Sequence, residues 1–180
     1  MTVRTLTLIP APTSMQPGGY VAKAYPDRAS AATPQVDVDV DTASGFRITL
    51  RWQCAHPVID ASDNARQFID SCALLVPEKT DAPWITMGAP GLPVAGVLWR
   101  ADKTAPITIR AEGLGSVQRG NPPADWKAES AYADGAWRVT FTLPQWAPLA
   151  AQKRFAVAIW QGAQAERAGL KSITTDWQAL

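Results

Sequence analysis

Apolar and polar residues alternate with a period of two along several stretches of this chain. Within residues 46–54, Phe46, Ile48, Leu50, Trp52 and Cys54 share one face, and Arg47, Thr49, Arg51 and Gln53 share the other. Trp137, Val139, Phe141 and Leu143 alternate with Arg138, Thr140 and Thr142, and Val36, Val38 and Val40 with Asp37, Asp39 and Asp41. Alternation of this kind puts one face of an extended strand into a core and the other into solvent. Further strands are predicted over residues 3–9, 19–25, 68–76, 94–101, 107–112, 154–160 and 172–180. No segment carries a long apolar stripe of period 3.6. Short helical turns are predicted only at 62–67 and 146–152. Many short strands separated by Pro- and Gly-bearing turns predict an all-β fold. The expected architecture is a single-domain antiparallel β-sandwich over residues 1–180 with a few short helical turns. The loop 80–93 is long, apolar and proline-rich, and loops of that length without regular structure often carry function.

The totals narrow the function. A chain of 180 residues that is 47% hydrophobic suits one substantial core. Charged residues make up 18% and the net charge is +1, which gives no long-range attraction to nucleic acid or to an anionic membrane. No apolar stretch approaches the ~20 residues of a membrane span. The opening MTVRTLTLIPAP lacks the features of a signal peptide. The expectation is a cytosolic protein, or one whose leader has been removed.

No catalytic constellation emerges. The chain has neither a P-loop nor a nucleophile elbow, and Gly113-Leu-Gly115 lacks the third glycine and following helix of a dinucleotide fingerprint. A single histidine, His56, excludes bis-histidine haem and multi-histidine metal sites and argues against a serine triad. It reads as a surface residue in a Cys-Ala-His-Pro turn. Asp37, Asp39 and Asp41 alternate with valines and read as a solvated strand face rather than a calcium loop. Cys54 and Cys72 do not form a CxxC pair, which excludes a zinc ribbon, a thioredoxin site and covalent c-type haem attachment. They are either a disulfide, worth ~3 kcal/mol, or two buried free thiols, and both readings stay open. Eight tryptophans are either core and strand-end packing or a stacking platform, as in a carbohydrate-binding module. A structural domain without a ligand is a third reading.

Two segments carry more. The first is Pro83-Trp-Ile-Thr-Met87-Gly-Ala-Pro, followed by Val94-Ala-Gly-Val-Leu-Trp-Arg100-Ala-Asp102. The second is Phe155-Ala-Val-Ala-Ile-Trp-Gln-Gly162, followed by Glu166-Arg-Ala-Gly-Leu-Lys171-Ser and Trp177. They come in order with Leu50 and Trp52, Phe68-Ile-Asp70, Ala73-Leu-Leu-Val-Pro77 and Asp134-Gly-Ala-Trp137. From about Phe46 to the C-terminus, this ordered set resembles the haem b-binding gamma subunits of the type II dimethylsulfoxide-reductase group. That group includes ethylbenzene dehydrogenase, dimethylsulfide dehydrogenase, selenate reductase and chlorate reductase.

The resemblance implies one haem b whose iron is held by Met87 and Lys171. The other methionines are Met1 and Met15, and both fall outside the resembling region. Leu170 stands where many relatives carry a polar residue, and the strand after Met87 is less aromatic than theirs. The resemblance also implies a periplasmic electron-transfer subunit that is not itself catalytic. Its partners would be a molybdenum-cofactor catalytic subunit, an iron–sulfur subunit and a soluble c-type cytochrome, with chlorate reductase the first choice of parent complex. A lysine ligates only as the free amine, which burial favours. A thioether favours ferrous iron.

Overall fold

The computed structural model describes residues 3–17, 19–25, 30–62 and 65–180. The strands in chain order are β1 (Val3–Pro10), β2 (Gln35–Asp41), β3 (Phe46–Gln53), β4 (Ser71–Pro77), β5 (Val94–Arg100) and β6 (Ile107–Ala111). They continue as β7 (Gln118–Gly120), β8 (Lys127–Ala133), β9 (Ala136–Leu143), β10 (Arg154–Trp160), β11 (Ser172–Thr174) and β12 (Gln178–Ala179). Two short helices, α1 (Tyr20–Ala24) and α2 (Ala147–Gln152), interrupt them. Among the described residues, no helix is long and apolar enough to cross a membrane.

Every strand pairing is antiparallel, and the strands form one open path, β7-β6-β5-β4-β10-β11-β1-β2-β3-β9-β8, with β12 beside β10. β1 is the shared strand: its Val3–Thr7 part pairs with β2 and its Leu8–Pro10 part with β11. The path folds over at β1, so the two halves face each other. Trp99 of β5 lies edge-on to Trp52 of β3 at 6.2 Å and to Trp137 of β9 at 5.0 Å across that interface. The sandwich expected from alternation is therefore present, with its inner face supplied by Ile48, Leu50, Val139, Phe141, Leu74, Val157 and their neighbours. The aspartates of β2 lie on the outer face, where Thr5 Oγ1 donates to Asp37 at 2.7 Å.

The half containing β4 and β10 is covered on both sides. All seven residues of β4 are buried, which explains its continuous apolar run. Its second face carries Ala73, Leu75, Leu98, Ala156 and Ala158, packed under Ala82, Trp84 and Met87 of the loop 80–93. That second layer is where the candidate site lies.

Several expectations need correction. Residues 19–25 were expected as a strand, but Tyr20–Ala24 is a helix of five residues, too short to show a 3.6-residue period in the sequence. The strand expected over 172–180 is two short pieces, β11 and β12. The helical turn expected at 62–67 is absent from its described part, where Ser62, Ala65 and Arg66 form plain turns, while residues 63 and 64 lie outside the described residues. The turn at 146–152 is α2. β7 and β8 were not anticipated: β8 is exposed at nearly every position and has no apolar face to alternate. Cys54 and Cys72 are buried free thiols. Burial, reinforced by the neighbouring Asp70 carboxylate, pushes Cys54 up to about 12, and burial raises Cys72 well above its ordinary value, so both stay protonated.

Asp70, just before β4, is 1% exposed and ties the segments together. Its Oδ2 accepts from Val58 N at 2.9 Å and from Trp137 Nε1 at 2.9 Å, and its Oδ1 accepts from Gly162 N at 2.7 Å. Gly162 can only be glycine, since a Cβ there would stand 1.4 Å from the carbonyl oxygen of Phe68. Asp70→Ala would leave three buried N–H donors unpaired, at ~1–3 kcal/mol each. The expected loss is at least ~3 kcal/mol in guanidinium unfolding, with Gly162→Ala comparably severe. A loss under ~1 kcal/mol for Asp70→Ala would refute its role as the organising acceptor.

Candidate functional site

Met87 sits in the loop 80–93 with a left-handed backbone, φ 56°, and Gly88 follows at φ 88°. A non-glycine residue in that region costs on the order of 1 kcal/mol or more and persists only where its surroundings over-determine it. Here they do. Met87 N donates to Trp84 O at 2.8 Å, Gly88 N to Pro83 O at 2.8 Å, and Gly113 N to Met87 O at 3.0 Å. A Cβ on Gly88 would lie 2.6 Å from Leu92 O and 2.9 Å from Ala111 O, so glycine is required. The loop is stapled to the sheet by Trp84, whose Nε1 donates to Thr174 O at 2.7 Å and whose ring lies 5.3 Å from that of Trp177. These contacts aim the thioether inward.

Lys171 approaches from the other connection, between β10 and β11. Gln161 N donates to the buried Glu166 carboxylate at 2.7 Å, Trp160 Nε1 to Ala168 O at 3.0 Å, and Leu170 N to Arg167 O at 2.8 Å. The Lys171 carbonyl accepts from Ala11 N at 2.8 Å. With its backbone fixed this way, the side chain is 6% exposed and Met87 is 7% exposed. The Lys171 amine lies 3.3 Å from Met87 Sδ and 5.2 Å from the centre of the Trp160 ring.

No ion pair to Lys171 is found among the described residues. A thioether is a weak acceptor for an ammonium, and a buried charge without a partner is expensive. Burial accordingly lowers the Lys171 amine from 10.5 to about 8. Lowered in this way, the amine gives up its proton more readily than a solvated lysine, and once deprotonated it and the thioether offer one nitrogen and one sulfur lone pair to a metal of intermediate or soft character, such as iron.

The pair opens onto a cavity of about 300 Å³ lined by Leu75, Leu98, Ile109, Leu114, Val117 and Trp160 among others. That volume is at the lower end for a small-molecule pocket. It shares Leu98, Arg119, Trp160 and Ala168 as walls with a neighbouring cavity of about 480 Å³, so the two form one trough. The donor set and the apolar walls suit a macrocycle carrying iron, which would take the place of the present 3.3 Å contact between amine and thioether.

The two residues singled out from the sequence are thus brought together, 84 positions apart in the chain. Arg119 was missed because β7 was missed. The signal available was Gly113-Leu-Gly115, the turn between β6 and β7, whose Gly113 N donates to Met87 O and whose Leu114 and Gly115 line the cavity beside Arg119. The tryptophans do not form an exposed platform: Trp52, Trp84, Trp99, Trp126, Trp137 and Trp146 are buried, and Trp160 and Trp177 are half-buried.

No protein-family model matches the chain. By sequence it is similar to a protein assigned as a respiratory nitrate reductase heme subunit in Haloferax mediterranei, at 32% identity over 141 residues, 73% of this chain and 50% of the relative. It is also similar to dimethylsulfide dehydrogenase subunit gamma of Rhodovulum sulfidophilum, at 28% over 160 residues, 80% of this chain and 60% of the relative. Chlorate reductase subunit gamma of Ideonella dechloratans matches at 28% over 163 residues, 84% of this chain and 66% of the relative. The chain spans between half and two thirds of the length of these curated relatives. It is related in sequence to heme and gamma subunits of oxidoreductases.

The buried amine has a consequence for stability in the absence of any ligand. Between pH 8 and 10.5 the unfolded chain binds more protons at Lys171 than the folded one, so stability rises with pH across that window and is constantly lower below it. Lys171→Met removes this contribution. The variant should gain about 3 kcal/mol over the parent at pH 7, and the gain should vanish near pH 10.5. Guanidinium unfolding of both proteins at pH 7, 9 and 10.5 measures it, and an equal gap at all three would show that the amine is not the cause.

Proposed function

We propose that this chain is the haem-carrying electron-transfer subunit of a molybdenum oxidoreductase, and that Met87 and Lys171 are the axial ligands of one haem b. The observation that carries the reading is the Lys171 amine, buried without an ion pair and facing a thioether across 3.3 Å. As pure structure that arrangement costs stability. As a ligand pair it has a use, and the heme and gamma subunits to which the chain is related point the same way.

When bound, the haem supplies reversible one-electron chemistry. The chain's own residues do the rest. Burial makes the Lys171 amine easier to deprotonate to its ligating form than a solvated lysine. The left-handed turn at Met87 holds the thioether opposite it. Leu75, Leu98, Ile109 and Trp160 line the cavity beside the pair with apolar surface. With Met87 and Lys171 both holding the iron, no position on it would be left for a substrate, which agrees with a role in relaying electrons.

The proposal extends to the assembly. The partners are a molybdenum-cofactor catalytic subunit, an iron–sulfur subunit and a soluble c-type cytochrome, in the periplasm, with chlorate reductase as first choice of parent complex. The similarity to a chlorate reductase gamma subunit supports that choice, and the similarity to a dimethylsulfide dehydrogenase gamma subunit keeps the opposite direction of electron flow open to test. A sugar-binding module would need exposed aromatic rings, and none of the eight tryptophans is exposed.

Absorption spectra of the purified protein titrated with haem, before and after dithionite, test the ligand assignment. The parent should give sharp low-spin b-type bands. Met87→Ala and Lys171→Ala should each convert the haem to a five-coordinate or high-spin form. A protein that stays colourless, or variants whose spectra match the parent's, would refute it.

A further inference from the structure

The trough has two chemically different ends. One end is apolar around Met87 and Lys171, and the other is lined by Arg100, Arg119 and Arg167 together with Glu166. Sheet register explains how an arginine comes to face a greasy cavity. Arg119 of β7 sits opposite Ile109 of β6, Ile109 opposite Gly96 of β5, and Gly96 opposite Leu75 of β4. Residues directly opposite across antiparallel strands share a face, so Arg119 extends the row that forms the apolar floor. Arg100 lies two positions beyond Leu98 on β5 and therefore on the same face.

The charges at this end do not cancel internally. Arg100 is held by Asp102 through contacts of 2.9 and 3.0 Å. The Glu166 carboxylate is buried and accepts from Gln161 N. Arg167 lies 4.6 Å over the Phe68 ring. Neither Arg119 nor Arg167 has an ion pair among the described residues. Two guanidinium groups without carboxylates thus stand at the mouth of an apolar trough, and Arg119 walls both of its cavities.

We infer that Arg119 and Arg167 receive the two carboxylates of a haem, setting its orientation with the apolar edge inward and the propionates toward the arginine end. This rests on the haem reading above and adds to it the residues that recognise the carboxylates. Guanidinium–carboxylate pairing supplies the recognition, and the apolar floor between the ligands and Arg119 accommodates the ring.

The test compares iron protoporphyrin with its dimethyl ester, which lacks both negative charges, on the parent protein and on Arg119→Gln/Arg167→Gln. Kd is read from absorption titrations, and the rate of haem loss from transfer to an apo-globin scavenger. The parent should bind the free acid about tenfold more tightly than the ester, and the double variant should lose that preference while keeping the parent's low-spin spectrum. If the variant retains the parent's preference for the free acid, or the parent shows none, the inference fails while the Met87–Lys171 reading stands. If neither porphyrin yields a low-spin spectrum with the parent, the haem reading fails and this inference with it.

Discussion

The structure depends on one buried carboxylate. Asp70 binds three N–H groups from segments that are far apart in sequence: the turn at Val58, the indole of Trp137 on β9, and Gly162 at the end of β10. A carboxylate taken out of water is costly unless its lone pairs are used, and here they are used by groups that no strand ladder could satisfy. The bond to Trp137 ties the start of β4 to the opposite half of the sandwich. The bond to Gly162 sets where the chain leaves β10, and so where the lysine-bearing connection begins. The close approach of Gly162 to Phe68, impossible with any side chain, is the geometric counterpart of the same constraint.

Lys171 shows the reverse use of burial. Asp70 is surrounded by donors, whereas Lys171 is given a thioether and an aromatic ring. A fold selected for stability alone would supply the amine with a carboxylate or replace it by an apolar side chain. Met87 adds a second local cost through its left-handed backbone, held by a carbonyl, an amide and a required glycine. Two locally unfavourable features thus converge on one cavity.

The second layer makes this affordable. β4 and β10 are covered on the inner side by the opposite half-sheet and on the outer side by the two connections that bear Met87 and Lys171. The two loops that carry Met87 and Lys171 rest on largely buried strands, and the floor of the trough is a sheet face whose register is set by five neighbouring pairings. Such a platform holds two loops in fixed relation without either belonging to regular structure.

The amino-acid sequence by itself determined the all-β class, most of the strands and the placement of Met87 in an irregular loop. In each case the signal was local: alternation in β2, β3 and β9, an unbroken apolar run in β4, and prolines in the segment 80–93. It also supplied, through the ordered motifs, the candidate pair itself. Local patterning could not reveal β7 and β8, which have little or no apolar face, or α1, a helix of five residues too short to show a period. Only the tertiary structure decided that Cys54 and Cys72 stay separate thiols, that the tryptophans point inward, and that Asp70 is the hub. It alone set an amine and a thioether 84 residues apart face to face and ran Arg119 into the same trough. Proximity of that kind comes from strand order and register across the folded sheet, and no periodicity along the chain encodes which strands become neighbours.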